Sequence, residues 1–107
     1  MSDVWKRSDI SDEVIVLCAI ECRRQIDAEN ERLRRRGLNP YSLEECRAAG
    51  ETECRWRYVD ELLAELFGAP EKVIFAAMER AAGRNLIDYG IHIRGAWPTD
   101  EGLALVQ

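Results

Sequence analysis

Residues 60–102 read DELLAELFGAPEKVIFAAMERAAGRNLIDYGIHIRGAWPTDEG, and this stretch decides the fold. Leu62, Leu63, Leu66 and Phe67 recur at helical spacing, so the segment opens on an amphipathic helix. Gly68 follows where a turn needs a positive φ, and Pro70 stands at the first position of a second helix, where its missing N–H costs nothing. That helix runs to about Ala82 and stops at Gly83-Arg84-Asn85. Leu86 to Tyr89 then reads as a short strand, Gly90 to Gly95 as a turn, and Ala96-Trp97 as the returning strand. Thr99 is the N-cap of a last helix, which brings Leu103, Leu105 and Val106 back to the core.

Upstream, Ser11 is an N-cap with Asp12 and Glu13 in the first turn, where carboxylates complement the helix dipole. Ile10 and Ile15 hold the positions of a hydrophobic staple. The helix runs to Arg36 and ends at Gly37; its apolar stripe is Ile15, Cys18, Ala19, Cys22, Ile26 and Leu33, widened by Val14, Val16, Leu17 and Ile20. Residues 1–10 read as a loose arm. Asn39-Pro40 marks a turn, Ser42 and Glu45 form a capping box, and Gly50 closes the short helix that follows. Thr52 then caps a helix expected over Glu53–Phe67, whose buried face is Trp56, Val59, Leu62, Leu63, Leu66 and Phe67.

A chain of 107 residues is one domain of common size, with 47% hydrophobic and 33% charged residues. Its parts are the long helix 11–36, the short helix 42–50, the helical pair and hairpin over 53–102, and a closing helix over 99–107. The longest apolar run, Val14 to Ile20, falls well short of the roughly 18–20 residues of a membrane span. The N-terminus carries no signal-peptide pattern, so a cytoplasmic protein without a membrane partner is expected. Charge is uneven: residues 1–36 hold eight basic and eight acidic side chains, whereas residues 37–107 hold seven and twelve, which accounts for the net −5.

The order helix, turn, helix, hairpin, helix is that of a winged helix-turn-helix. Within that unit Ala64 falls where a small residue lets two helices cross, Gly68 in the turn, and Ile74 where an apolar side chain of the second helix plugs the first. The run Ala77–Val106 resembles the end of winged-helix regulators of the MarR-like kind, with Leu86-Ile87 as the strand into the wing and Thr99-Asp100-Glu101-Gly102 as the closing helix start. The resemblance covers residues 56–107 and implies a mainly α fold with a small β-hairpin wing, here carried on a long N-terminal helix. It also implies a small bacterial or phage-type transcriptional regulator binding double-stranded DNA.

On that reading the second helix enters the major groove. Lys72, Arg80 and Arg84 on or after it, His92 and Arg94 on the wing, and Arg55 and Arg57 ahead of the first helix are the nucleic-acid-binding candidates. Arg32, Arg34, Arg35 and Arg36 would add a phosphate clamp, although cations interleaved with Glu29 and Glu31 at a helix end read more simply as a solvated terminus. Against the DNA reading, Glu71 and Glu79 repel phosphates, and Phe75 and Ala76 offer no donors to base edges. The alternative is therefore a winged-helix protein-interaction module of the kind phages use to block host machinery, docking through Phe75, Glu71 and Glu79.

Cys18, Cys22, Cys46 and Cys54 match no compact zinc pattern and read as small buried hydrophobes, a four-thiolate metal site or a disulfide being the other arrangements. No nucleophile–base motif or phosphate loop is present, so neither an enzyme nor a cofactor is expected. The broad stripe of helix 11–36 suggests a homodimer interface.

Overall fold

The computed structural model describes residues 5–51 and 56–107. They form five α-helices and one short hairpin: α1 (Asp12–Arg35), α2 (Leu43–Ala48), α3 (Val59–Phe67), α4 (Glu71–Gly83), β1 (Ile87–Asp88), β2 (Trp97–Pro98) and α5 (Asp100–Val106). Thr52, Cys54 and Arg55 lie outside the described residues.

Helix α1 begins as its sequence dictates. Ser11 accepts a hydrogen bond from the Val14 N–H (3.3 Å), and Ile10 and Ile15 are both fully buried. It ends in a Schellman closure. The Leu38 N–H returns to the Leu33 carbonyl (3.0 Å) and the Gly37 N–H to Arg34 (2.9 Å), with Gly37 at φ +79°. Helices α2 and α4 close the same way: Glu51 bonds back to Cys46 and Leu86 to Ala81, with Asn85 holding the left-handed position (φ +60°) after α4.

The α1 stripe is the spine of the core. Ile15, Val16, Cys18, Ala19 and Cys22 are buried together with Val59 and Leu63 of α3 and with Ile74, Ala77, Met78 and Ala81 of α4. Helix α1 packs against α3, α4, α5 and β2, so the stripe is covered within the chain, and on its outer face Leu17 is exposed.

The hairpin is antiparallel, with Ile87 opposite Pro98 and Asp88 opposite Trp97. Ile87 points into the core and Asp88 outward. The closing helix is locked to the strand entry. Thr99 donates from its hydroxyl to the Asn85 carbonyl (2.6 Å) and from its backbone to the Leu86 carbonyl (3.1 Å), and accepts from the Gly102 N–H (3.0 Å). A Cβ on Gly102 would stand 2.0 Å from the Leu86 carbonyl oxygen, so only glycine fits there.

Several expectations are corrected. Helix α3 starts at Val59, not Glu53: Tyr58 is its N-cap residue, and Glu61 reaches back to the Tyr58 N–H (3.1 Å). Leu66 is 66% exposed and Phe67 half-buried, because the short helix turns its last residues away from α1. Ala64 is exposed beside a dent lined by Asp60, Glu61, Ala69, Glu71 and Ile74. Pro70 is the N-cap of α4 rather than its first residue, its carbonyl accepting from Val73 and Ile74. Residues 5–10 are no loose arm: Lys6 and Asp9 bond in a 3-10 turn, and Ile10 is fully buried. Only half of the α2 capping box forms. Glu45 donates to Ser42, but its carboxylate accepts from the Asn39 N–H (3.0 Å).

The Leu86–Gly102 contact makes a paired prediction. Gly102→Ala destabilises the protein by about 3 kcal/mol or more, since the backbone must move to admit one methyl. Gly83→Ala, with nothing within 4 Å of the added Cβ, is neutral or stabilises by up to about 1 kcal/mol. Urea midpoints of the two variants should move apart.

Candidate functional site

Helix α4 presents Glu71, Lys72 and Glu79 as exposed side chains, with Val73, Phe75 and Ala76 half-buried between them. Phe75 is therefore a partly sunken ring rather than a protruding anchor. Among the described residues, neither Glu71, Lys72 nor Glu79 has an ion-pair partner.

The arginines expected on this face are held by the chain's own carboxylates. Arg80 donates from Nε to Asp12 Oδ1 (3.0 Å) and from a terminal nitrogen to the Ile10 carbonyl. The Arg80 and Asp12 side chains are only 13% and 14% exposed, so this pair is largely out of water. Arg84 takes the second oxygen, Asp12 Oδ2, at 2.6 Å. Arg94 donates to Asp60 Oδ1 (3.0 Å), approaches Glu61 (3.5 Å) and lies over the Tyr58 ring, 4.5 Å from its centroid. The hydrogen bond to Asp60 raises the Arg94 pKa further above its ordinary value. His92 is exposed and stands edge-on to the same ring at 5.5 Å. Arg57 pairs with Glu65.

The basic cluster at the end of α1 is also engaged. Arg32 bridges Glu29 (2.5 Å) and Glu51 (2.7 Å), and Arg36 reaches Glu51, which ties the segment after α2 to α1. Arg35 pairs with Glu31, and Arg34 lies over the Tyr41 ring at 5.9 Å. Chiefly through its hydrogen bond to Arg32, the Glu51 carboxyl is held down to about 2.

The opposite charge remains outward. From α4 to the C-terminus the chain carries Glu71, Glu79, Asp88, Asp100 and Glu101 against Lys72, Arg80, Arg84 and Arg94. The three arginines of that set turn toward Asp12 and Asp60, which belong to other helices. A cleft between the end of α4 and β1 is lined by Glu79, Ala82, Asn85, Asp88 and Tyr89. Past it the hairpin exposes Tyr89 (42%) and Ile91 (100%).

Cys18, Cys22 and Cys46 are buried and in no disulfide, and burial pushes Cys18 up to about 11, with Cys22 and Glu21 adding to the effect. Among the described residues, no group of three or more His, Cys, Asp or Glu is placed to hold a metal ion. No helix among them is long and apolar enough to cross a membrane.

Asp88, Tyr89 and Ile91 escaped sequence reasoning, which treated 86–95 as strand and turn. The available signal was composition: a turn written Tyr-Gly-Ile-His-Ile places apolar side chains where polar ones are usual. Comparison of the chain with family models, curated proteins and solved structures finds no match.

Two ion-pair predictions follow from this geometry. Asp12→Ala removes the covered carboxylate that Arg80 and Arg84 share and lowers stability by about 2–3 kcal/mol, read from denaturant midpoints. The Glu51 carboxyl, followed by NMR, titrates near 2, and Arg32→Gln moves its midpoint back toward the ordinary carboxylate range. Because the folded value is depressed, the Glu51 clasp is complete above that ordinary range and is lost as pH falls toward about 2.

Proposed function

We propose that residues 56–107 form a winged helix-turn-helix and that the chain acts as a protein-interaction module through the outer face of α4 and the hairpin. Helix α3, the Gly68 turn, α4, the hairpin and α5 stand in the order of that fold, and Ile74 is buried under α3 as the second helix of such a unit requires. The observation that carries the functional reading is the disposition of charge. Arg57, Arg80, Arg84 and Arg94 are each bonded to a carboxylate of the same chain, while Glu71 and Glu79 stand free on the helix a DNA reader would place in the major groove. Affinity for duplex DNA comes largely from cations that displace counterions from phosphates. On this face Lys72 and His92 alone are without such a bond among the described residues, which makes DNA the weaker partner.

The test is a titration with random-sequence duplex DNA from about 50 mM to about 200 mM salt. The native chain is expected to show no salt-dependent binding. Glu71→Lys combined with Glu79→Lys is expected to acquire it, because the exchange replaces two repelling charges with two attracting ones. Tight native binding that weakens steeply with salt would overturn the proposal and restore the regulator reading.

A further inference from the structure

Arginine is held in this molecule by a recurring arrangement of one aromatic face and neighbouring carboxylates. Arg94 lies over Tyr58 between Asp60 and Glu61. Arg23 lies over Trp97 at 5.8 Å and pairs with Asp27 at 3.9 Å. The physical reason is general: a guanidinium is planar and weakly hydrated, so it stacks on a ring while its edge donates to carboxylates. The cleft between α4 and β1 contains the same parts, with Tyr89 as the ring and Glu79 and Asp88 as the carboxylates. No arginine of the described chain enters it, since Arg80 and Arg84, the nearest in sequence, are both turned to Asp12.

We infer that this cleft seats an arginine side chain from a basic segment of a partner protein, with Ile91 as the adjoining apolar contact; this rests on the protein-docking reading above. The charge of the surface matches that occupant. The carboxylates of Glu79 and Asp88 attract a basic segment, and the pairing of Arg80 and Arg84 with Asp12 of α1 turns this chain's own nearest arginines away from the cleft. Ile91 is fully exposed at the hairpin tip, where it adds an apolar contact for the partner's flanking residues. Arginine is favoured over lysine because Tyr89 offers a flat face and two carboxylates offer paired acceptors, which a compact ammonium uses less well.

The test uses two short peptides of alternating alanine with arginine or with lysine, titrated into the full chain at low salt and followed by amide NMR shifts. Support is binding of the arginine peptide with shifts centred on Glu79, Asp88, Tyr89 and Ile91. Glu79→Gln with Asp88→Asn should weaken it about tenfold, and Tyr89→Leu should cut the preference over the lysine peptide about threefold. These are surface substitutions, and unchanged amide dispersion elsewhere verifies the fold. If the arginine peptide binds but shifts only residues around Glu71 and Phe75, or binds equally after Tyr89→Leu, the cleft assignment fails while the docking reading stands. If neither peptide binds, the inference is overturned, and if duplex DNA binds in their place, the docking reading falls with it.

Discussion

One carboxylate organises this molecule. Asp12, in the first turn of α1, receives Arg80 and Arg84 from the far end of α4, across 68 and 72 residues of chain. It occupies a helix N-terminus, where a negative charge is already favoured, and it fixes the angle between the two helices that bury the most core residues. Moving a guanidinium and a carboxylate out of water is expensive, and the good geometry of this pair, with a further Arg80 donor on the Ile10 carbonyl, offsets that cost. That carbonyl belongs to the residue before the N-cap, so the same cluster pins the start of α1 and keeps Ile10 in the core.

The clamp also shapes the surface by subtraction. An arginine paired with a carboxylate of its own chain offers less charge to a phosphate, and Asp60 holds Arg94 on the hairpin as Asp12 holds Arg80 and Arg84 on α4. The formal charge from Glu71 to Glu101 is nearly balanced; Arg80 is largely covered, whereas Arg84 and Arg94 stay partly exposed beside the carboxylates that hold them. Net charge by segment is thus a poor guide here, because ion pairs between segments move cations from one face to another. The contrast with the α1–α2 arm is instructive. There Arg32 and Arg36 converge on Glu51, and the pairing serves to hold a peripheral helix that contributes only Cys46 to the buried residues.

Local signals made much of the fold legible. Ser11, Gly37, Gly68 and Thr99 with Gly102 act within a few residues of themselves, so spacing alone reveals them, and the α1 stripe follows from helical period. What spacing does not encode was missed. Tyr58 starts α3 because Glu61 caps it and its ring takes Arg94, a contact that closes only once the hairpin has folded back. Arg80 looks in sequence like any solvated helical arginine, and nothing nearby announces that its acceptor is Asp12. Leu66 keeps helical phase with Leu62 and Leu63 but runs past the edge of α1, so phase placed it on a face that the tertiary structure leaves uncovered.

The filled arginine site and the open one are mechanically linked. Arg94 stands just before the returning strand and bonds to Asp60 at the start of α3, so it anchors one side of the hairpin to the helical body. Thr99 and Gly102 anchor the other side by gripping Asn85 and Leu86. Between these anchors the hairpin carries Asp88 and Tyr89 beside Glu79 of α4. A ligand entering there would not have to order its walls, and binding to a preformed site loses less to conformational entropy than binding to a mobile one. The Arg94–Asp60 pair that binds the hairpin to α3 therefore also restrains the strand-and-turn wall that carries Asp88 and Tyr89.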